Sequence, residues 1–154
     1  MNIGIIVFSH TNKTFSVASK LKEVFDNTEH TATVERVTTA SHNPTVEPDI
    51  KLKDIPDVTN YDALIFASPV WAFSLCPVMK KYLNELASLD GKKVSLFVTQ
   101  QLWFSWMGGN RAIKQMKELC QSKGANIINT GIVNWSNKKV EQQIHNLLEC
   151  FKQI

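Results

Sequence analysis

Cysteine is scarce and unpatterned in this chain: Cys76, Cys120 and Cys150 are odd in number and widely spaced, and no CxxC occurs. That argues against a disulfide framework or a cysteine-built zinc site. It reads as free thiols in a reducing cytoplasm. No apolar run approaches the ~20 residues of a membrane span. The start, MNIGIIVFSH, has neither a basic n-region nor a small-residue cleavage site, so no signal peptide is expected. Neither GxxxxGKS/T nor GxGxxG is present, which removes the Walker and dinucleotide fingerprints. There is no dense basic run and no RNA-binding signature, so a nucleic-acid partner is not expected. No His/Cys/carboxylate cluster suggests a metal. A last absence is local. The stretch FSHTNKTFSVASK, Phe8 to Lys20, contains no glycine, although polar turns that approach an anion usually need one.

What is present is an ordinary globular composition. The chain has 154 residues, 44% hydrophobic and 20% charged, which suits one domain with its own core. Net charge is +3 but unevenly placed. Residues 1–75 carry six Lys+Arg and nine Asp+Glu, a net of −3, and residues 76–154 carry eleven and five, a net of +6. A basic half of this kind steers an anionic ligand or an acidic partner, or is solvated helix surface.

Apolar runs alternate with amphipathic stretches. Ile3 to Phe8, Ala63 to Ala67 and Val94 to Val98 read as strands buried on both faces. Thr33 to Val37 reads as a more polar strand near a sheet edge. Ile127-Ile128 and Ile132-Val133 suggest a last strand, interrupted at Gly131. Helical spacing joins Phe15, Ala18, Leu21, Val24 and Phe25, then Val78, Met79, Tyr82, Leu83 and Leu86, with Pro77 at the favoured first position. It recurs at Ile113, Met116, Leu119 and Cys120, with Gly124 as a stop, and at Val140, Ile144, Leu147, Leu148 and Phe151. The Pro-containing segment 38–60 is too long for a simple connection and has room for a short helix. Strands alternating with helices predict a doubly wound three-layer α/β/α sandwich on a five-stranded parallel sheet. Ligands of such folds bind beyond the carboxyl ends of the strands. That rule selects three loops.

The first is Ser9-His10-Thr11-Asn12-Lys13-Thr14, rich in donors and placed ahead of a helix N-terminus. It fits an anion site. It also fits an N-cap turn in which Thr11 or Asn12 satisfies the helix start. The second, Ser68 to Pro77, puts Trp71 and Phe73 at a strand's carboxyl end, where an aromatic plate can face a flat conjugated ligand. The third, Thr99 to Asn110, holds Trp103, Phe104 and Trp106 ahead of Gly108-Gly109. Three aromatics in four residues suit a cover over a planar ligand, a partner surface or a dimer surface.

Together these loops resemble those of the flavodoxin-like FMN-binding family. The first is similar to that family's Ser/Thr-x-Thr-Gly-Asn-Thr phosphate loop, with Asn12 where glycine is usual and Lys13 where asparagine is usual. The second, YDALIFASPVWAFSLCP from Tyr61 to Pro77, closely resembles the family's strand and flavin loop. The third, VTQQLWFSWMGGNRAIKQMKELCQSKGANII, is similar to its strand, Gly-containing loop and helix, with bulky aromatics where small residues are common. The resemblance spans essentially the whole chain and implies strand order 2-1-3-4-5. It also implies an FMN site. Ser9, His10, Thr11, Asn12, Lys13 and Thr14 would surround the phosphate. Pro69, Val70, Trp71, Ala72 and Phe73 would run along the isoalloxazine. Thr99, Gln100, Trp103, Gly108 and Gly109 would border its other side. Receiver domains share the strand order but need acidic residues after the first strand, where Phe8-Ser9-His10 stands.

Three functions fit that resemblance. One is a cytoplasmic FMN-dependent oxidoreductase, moving electrons or hydride from NAD(P)H or another reductant to a quinone-like or other small acceptor. One is a flavodoxin-type electron carrier with protein partners, although such carriers are typically acidic. The third is a flavin-free interaction module of the same fold. The 103–106 aromatics are a candidate homodimer surface. On the oxidoreductase reading no side chain is an obligate acid or base, and Cys76, near a helix start, is either a reactive thiol or a small buried one.

Overall fold

The computed structural model describes residues 1–40 and 50–154. Successive side chains of a strand face opposite sides of a sheet, and here both sides are apolar. In β1 (Asn2–Val7), Ile3, Ile5 and Val7 join one buried cluster, and Ile6 with the following Phe8 joins another. β3 (Ala63–Trp71) divides the same way, Ala63, Ile65 and Ala67 against Leu64 and Phe66. β5 (Lys93–Gln100) puts Phe97 on the first side and Val94, Leu96 and Val98 on the second. Such strands need helices on both faces. α1 (Lys13–Asp26) and α4 (Val140–Phe151) cover the first with Val17, Ala18, Leu21, Phe25, Ile144, Leu147 and Phe151. α2 (Pro77–Glu85) and α3 (Gly109–Ser122) cover the second with Val78, Met79, Tyr82, Leu83, Ala112, Met116 and Cys120.

With β2 (Thr31–Arg36) and β6 (Asn126–Asn134), the parallel strands run in the order β2-β1-β3-β5-β6. Over five parallel strands this is the expected order 2-1-3-4-5 of a three-layer α/β/α sandwich. A two-residue strand, β4 (Ser74–Leu75), is added antiparallel to the end of β3.

Several boundaries move. β3 runs on through Pro69, Val70 and Trp71, which the sequence reading leaves in a loop. Its ladder with β1 ends at Val7↔Ala67, so the missing N–H of Pro69 costs that ladder nothing. β6 continues through Gly131 rather than breaking there. The irregularity falls at Ile128, where the register jumps from Val94↔Ile127 to Ser95↔Asn129. At Gly131 a Cβ would lie 2.7 Å from Leu147 Cδ1, so the small residue serves the close seating of α4. The α3 stop is as expected. Gly124, φ 92, donates to Gln121 O and Ala125 to Cys120 O, the paired bonds of a Schellman end. In the segment 38–60, described residues Thr39 and Leu52 form an antiparallel bridge rather than a helix. The remainder of that expectation, 41–49, lies outside the described residues. No described helix is long and apolar enough to cross a membrane.

Cys76 and Cys120 sit fully inside the α2/α3 core, and Cys150 is exposed. Burial pushes the Cys76 and Cys120 thiols up to about 12. Cys76 sits next to Pro77 at the start of α2, but desolvation outweighs the backbone donors of Val78 and Met79. Of the two readings of Cys76, the structure supports the small buried thiol. An aromatic disulfide reagent should label one thiol per native chain and three in denaturant. Because the folded thiols hold their protons while unfolded ones lose them near 9, stability should be unaffected by these groups below pH 9. It should fall as pH rises from there toward 12. Denaturant titrations at pH 8 and 10 check the sign.

Candidate functional site

β1 ends at Val7 and α1 begins at Lys13, so the first loop is the head of a 14-residue helix. Asn12 adopts φ 63, ψ 2, the left-handed conformation. Asparagine is among the few residues besides glycine that enter it routinely. The turn does not depend on a capping side chain, since Asn12 makes no cap bond. Instead Ser9 Oγ accepts from the Phe15 N–H at 3.3 Å. Among the described residues, no backbone N–H from His10 through Thr14 has a protein acceptor. A left-handed residue followed by helical ones turns successive N–H groups into one concavity. The Asn12 side chain points elsewhere: its Oδ1 accepts from Arg36 Nη2 at 2.5 Å. The Arg36 guanidinium lies 4.0 Å from the centre of the Phe15 ring.

The other loops meet this one. The Trp71 ring stands edge-on to Phe8 and His10, centroids 5.6 and 5.9 Å apart. Beyond it, Ala72 and Phe73 have φ 49 and 60 and link β3 to β4. Two positive φ values in a two-residue hairpin are the pattern of a type I′ turn, which normally takes Asn-Gly. With Ala and Phe the strain is of order 1–2 kcal/mol per residue. The turn is held by Gln115 Oε1, which accepts from Ser74 Oγ and the Leu75 N–H at 2.9 and 2.8 Å. It is also held by Gly108, φ 118, where a Cβ would come 2.6 Å from Phe73 Cα.

Thr99 and Gln100 are the last residues of β5, and Gly109 opens α3. Thr99 Oγ1 and Thr14 Oγ1 share a buried hydrogen bond of 2.7 Å, tying the third loop to the first. Lys13 Nζ adds a bond to Gln101 Oε1 at 3.0 Å. Gln100 Nε2 donates to the Phe104 carbonyl at 2.7 Å and to Asn134 Oδ1. Asn137 Nδ2 donates to the Trp103 carbonyl at 2.9 Å. The backbone is thus pinned while its aromatics face outward, Trp106 at 74% exposure. Phe104 and Trp106 stack on each other, 6.0 Å apart and 7° from parallel.

Between the loops lies a cleft of about 120 Å³. Its walls are His10, Thr11, Lys13 and Thr14, then Pro69, Val70 and Trp71, then Thr99, Gln100 and Gln101. Of the other residues the sequence singles out, Ser9 and Asn12 shape the turn behind the wall. Ala72, Phe73, Trp103, Gly108 and Gly109 build the adjoining hairpin and loop and do not line the cleft. Residues 8–14, 68–77, 99–110 and 134–139 contain no Asp or Glu. Lys13, Arg36 and the α1 dipole therefore give this end a positive field. Two buried polar atoms here have no partner among the described residues, Gln100 Oε1 and Trp135 Nε1. Lys13 Nζ sits 5.7 Å from the Trp135 ring centre. No described group of His, Cys, Asp and Glu could hold a metal.

Sequence reasoning missed Arg36, Asn134 and Trp135, while Gln101 falls within the third loop that it selected. Arg36 and Asn134 end β2 and β6. The carboxyl-end rule finds them when it is applied to every strand rather than to the three most apolar ones.

A family model described as flavodoxin-like fold matches residues 1–153. Among solved structures, two-electron reduced Megasphaera elsdenii flavodoxin is 20% identical, with TM-score 0.71 and 99% of each chain covered. Oxidised Flavodoxin 2 from Bacillus cereus is 19% identical, with TM-score 0.71 and the same coverage. Fusobacterium nucleatum flavodoxin bound to flavin mononucleotide is 15% identical, with TM-score 0.68, covering 99% of this chain and 97% of that one. No curated protein sequence matches. With its family model matched over nearly its full length, the chain belongs to the flavodoxin-like family.

Proposed function

We propose that this chain is an FMN-binding flavoprotein acting as an oxidoreductase. The observation that carries the reading is the row of N–H groups from His10 to Thr14 that have no protein acceptor among the described residues, around left-handed Asn12 at the head of α1. A phosphate satisfies such a row and draws on the helix dipole. Ser9 through Thr14 would hold the phosphate, Ser9 and Asn12 by shaping the turn and the rest by facing it. Pro69, Val70, Trp71, Ala72 and Phe73 would run along the isoalloxazine. Thr99, Gln100, Trp103, Gly108 and Gly109 would border its other side. The cleft of about 120 Å³ shares Val70 and Trp71 with an adjoining cavity of about 670 Å³ lined also by Ala72, Ser74, Leu75, Pro77 and Lys80, room for the ring beside the phosphate. When bound, FMN supplies hydride and electron transfer between a reductant such as NAD(P)H and a quinone-like or other small acceptor. The protein's part is to anchor the phosphate, flank the ring and exclude water. A single domain working in the cytoplasm completes the proposal.

A second reading, a carrier with protein partners, is favoured by one observation. Trp103, Phe104 and Trp106 are more than half exposed beside the cleft, a surface suited to a protein partner or a second copy of the chain.

Purified protein should carry or take up FMN, seen as flavin absorbance and quenched flavin fluorescence. Riboflavin, which lacks the phosphate, should bind roughly a hundredfold more weakly, the scale of two charge-assisted hydrogen bonds. Equal affinity for the two, or a colourless protein that refuses FMN, would remove the flavin reading and leave the interaction module. Asn12→Ala should weaken FMN binding about tenfold, since a left-handed alanine costs ~1–2 kcal/mol. Asn12→Gly should stay within a few-fold of the parent.

Steady oxidation of NAD(P)H with a quinone, needing no second protein, is the outcome expected of the oxidoreductase. Reduction only through a reductase or ferredoxin would favour the carrier instead.

A further inference from the structure

We propose that Arg36 is the positioning residue of the phosphate turn. It holds Asn12 in the left-handed conformation that glycine usually supplies. The proposal rests on the reading of the cleft as an FMN phosphate site.

Arg36 is fixed at three points. Its backbone closes β2 in register with Val7, the last residue of β1. Its guanidinium carbon lies over the Phe15 ring, 4.0 Å from the centroid. Its Nη2 donates to Asn12 Oδ1 at 2.5 Å. The base on which it is clamped and the turn that it holds are three residues apart at the head of α1. A bond from a charged donor is about twice as strong as a neutral one, enough to offset much of the left-handed penalty of a non-glycine residue. An arginine more often takes a carboxylate, in a bidentate pair. Among the described residues Arg36 is in no ion pair; those present are Lys22–Asp26, Lys81–Glu85 and Lys152–Glu149. The neighbouring Glu35 accepts instead from the Tyr61 hydroxyl at 2.8 Å. Glycine in this turn would offer no side chain to hold, so Asn12 and Arg36 work as a pair.

The test is a double-mutant cycle on the whole chain with Arg36→Ala, Asn12→Gly and both, read by FMN and riboflavin titration. It is joined by the Asn12 backbone scalar coupling and chemical shifts in the apoprotein. Arg36→Ala should weaken FMN about tenfold in the parent, the scale of one bond to a charged group, and by under about twofold beside Asn12→Gly. Riboflavin binding should not move, and in apo Arg36→Ala the left-handed signature of Asn12 should be lost. An equal loss of FMN affinity in both backgrounds with Asn12 unchanged would mean that Arg36 acts only as a charge on the ligand, and the proposal would be wrong. No loss at all would overturn it too. If the parent itself refuses FMN, the flavin reading fails. The apo Asn12 signal then still decides whether Arg36 holds the turn.

Discussion

Three strands with apolar side chains on both faces, β1, β3 and β5, constrain the rest of the molecule. Burying Ile3, Ile5 and Val7 on one side and Ile6 and Phe8 on the other leaves no solvent face on β1. Such strands cannot be joined by hairpins that leave a face wet. They need right-handed helical crossovers on both sides. The crossovers send every strand-to-helix loop to the same edge. Three chain segments far apart in sequence therefore meet: Thr14 reaches Thr99, Lys13 reaches Gln101, and Trp71 reaches His10. The cleft follows from burial in the core.

At that edge the chain departs from the locally favoured choice in several places at once. Asn12, Ala72 and Phe73 are the described non-glycine residues with positive φ, and all three lie in the loops around the cleft. Strain concentrated in one place persists only when its surroundings over-determine it. Here the surroundings can be named: Arg36 for Asn12, Gln115 and Gly108 for the Ala72-Phe73 turn. The buried orphan atoms Gln100 Oε1 and Trp135 Nε1 belong to the same end. Of these features, the N–H groups of residues 10–14 without a protein acceptor among the described residues and the unpaired Trp135 Nε1 are donors that an anion can satisfy.

The layers and the three loops were legible in the sequence, because continuous β-branched runs such as Ile3–Phe8 separate cleanly from helical spacing such as Phe15, Ala18, Leu21 and Phe25, and the strand order was legible through the family resemblance. At Asn12 the sequence offered an N-cap or a stand-in for the family's glycine, and the left-handed φ of 63 with no cap bond matches the second. What was hidden depends on tertiary contact. No local propensity marks Ala72-Phe73 as a type I′ turn, since that geometry is imposed by Gly108 and Gln115. Pro69 looked like a loop residue because proline is poor in a ladder, yet it sits where the ladder with β1 has already ended. Ile128 gave no sign of a bulge, whereas Gly131 gave a false one through a packing demand from Leu147. Arg36 read as an edge-strand charge, because its partners Asn12 and Phe15 are more than twenty residues away in the chain.

The central claim is that the backbone of residues 10–14 is a phosphate cradle. It is tested most directly by following the amide resonances of the labelled apoprotein as FMN is added, with riboflavin as the comparison. The account predicts that the His10–Thr14 amides show the largest downfield shifts with FMN, as each N–H gains a charged acceptor, and that riboflavin leaves them nearly in place. Flavin binding that leaves those five amides unmoved, or moves them equally with and without the phosphate, would contradict it.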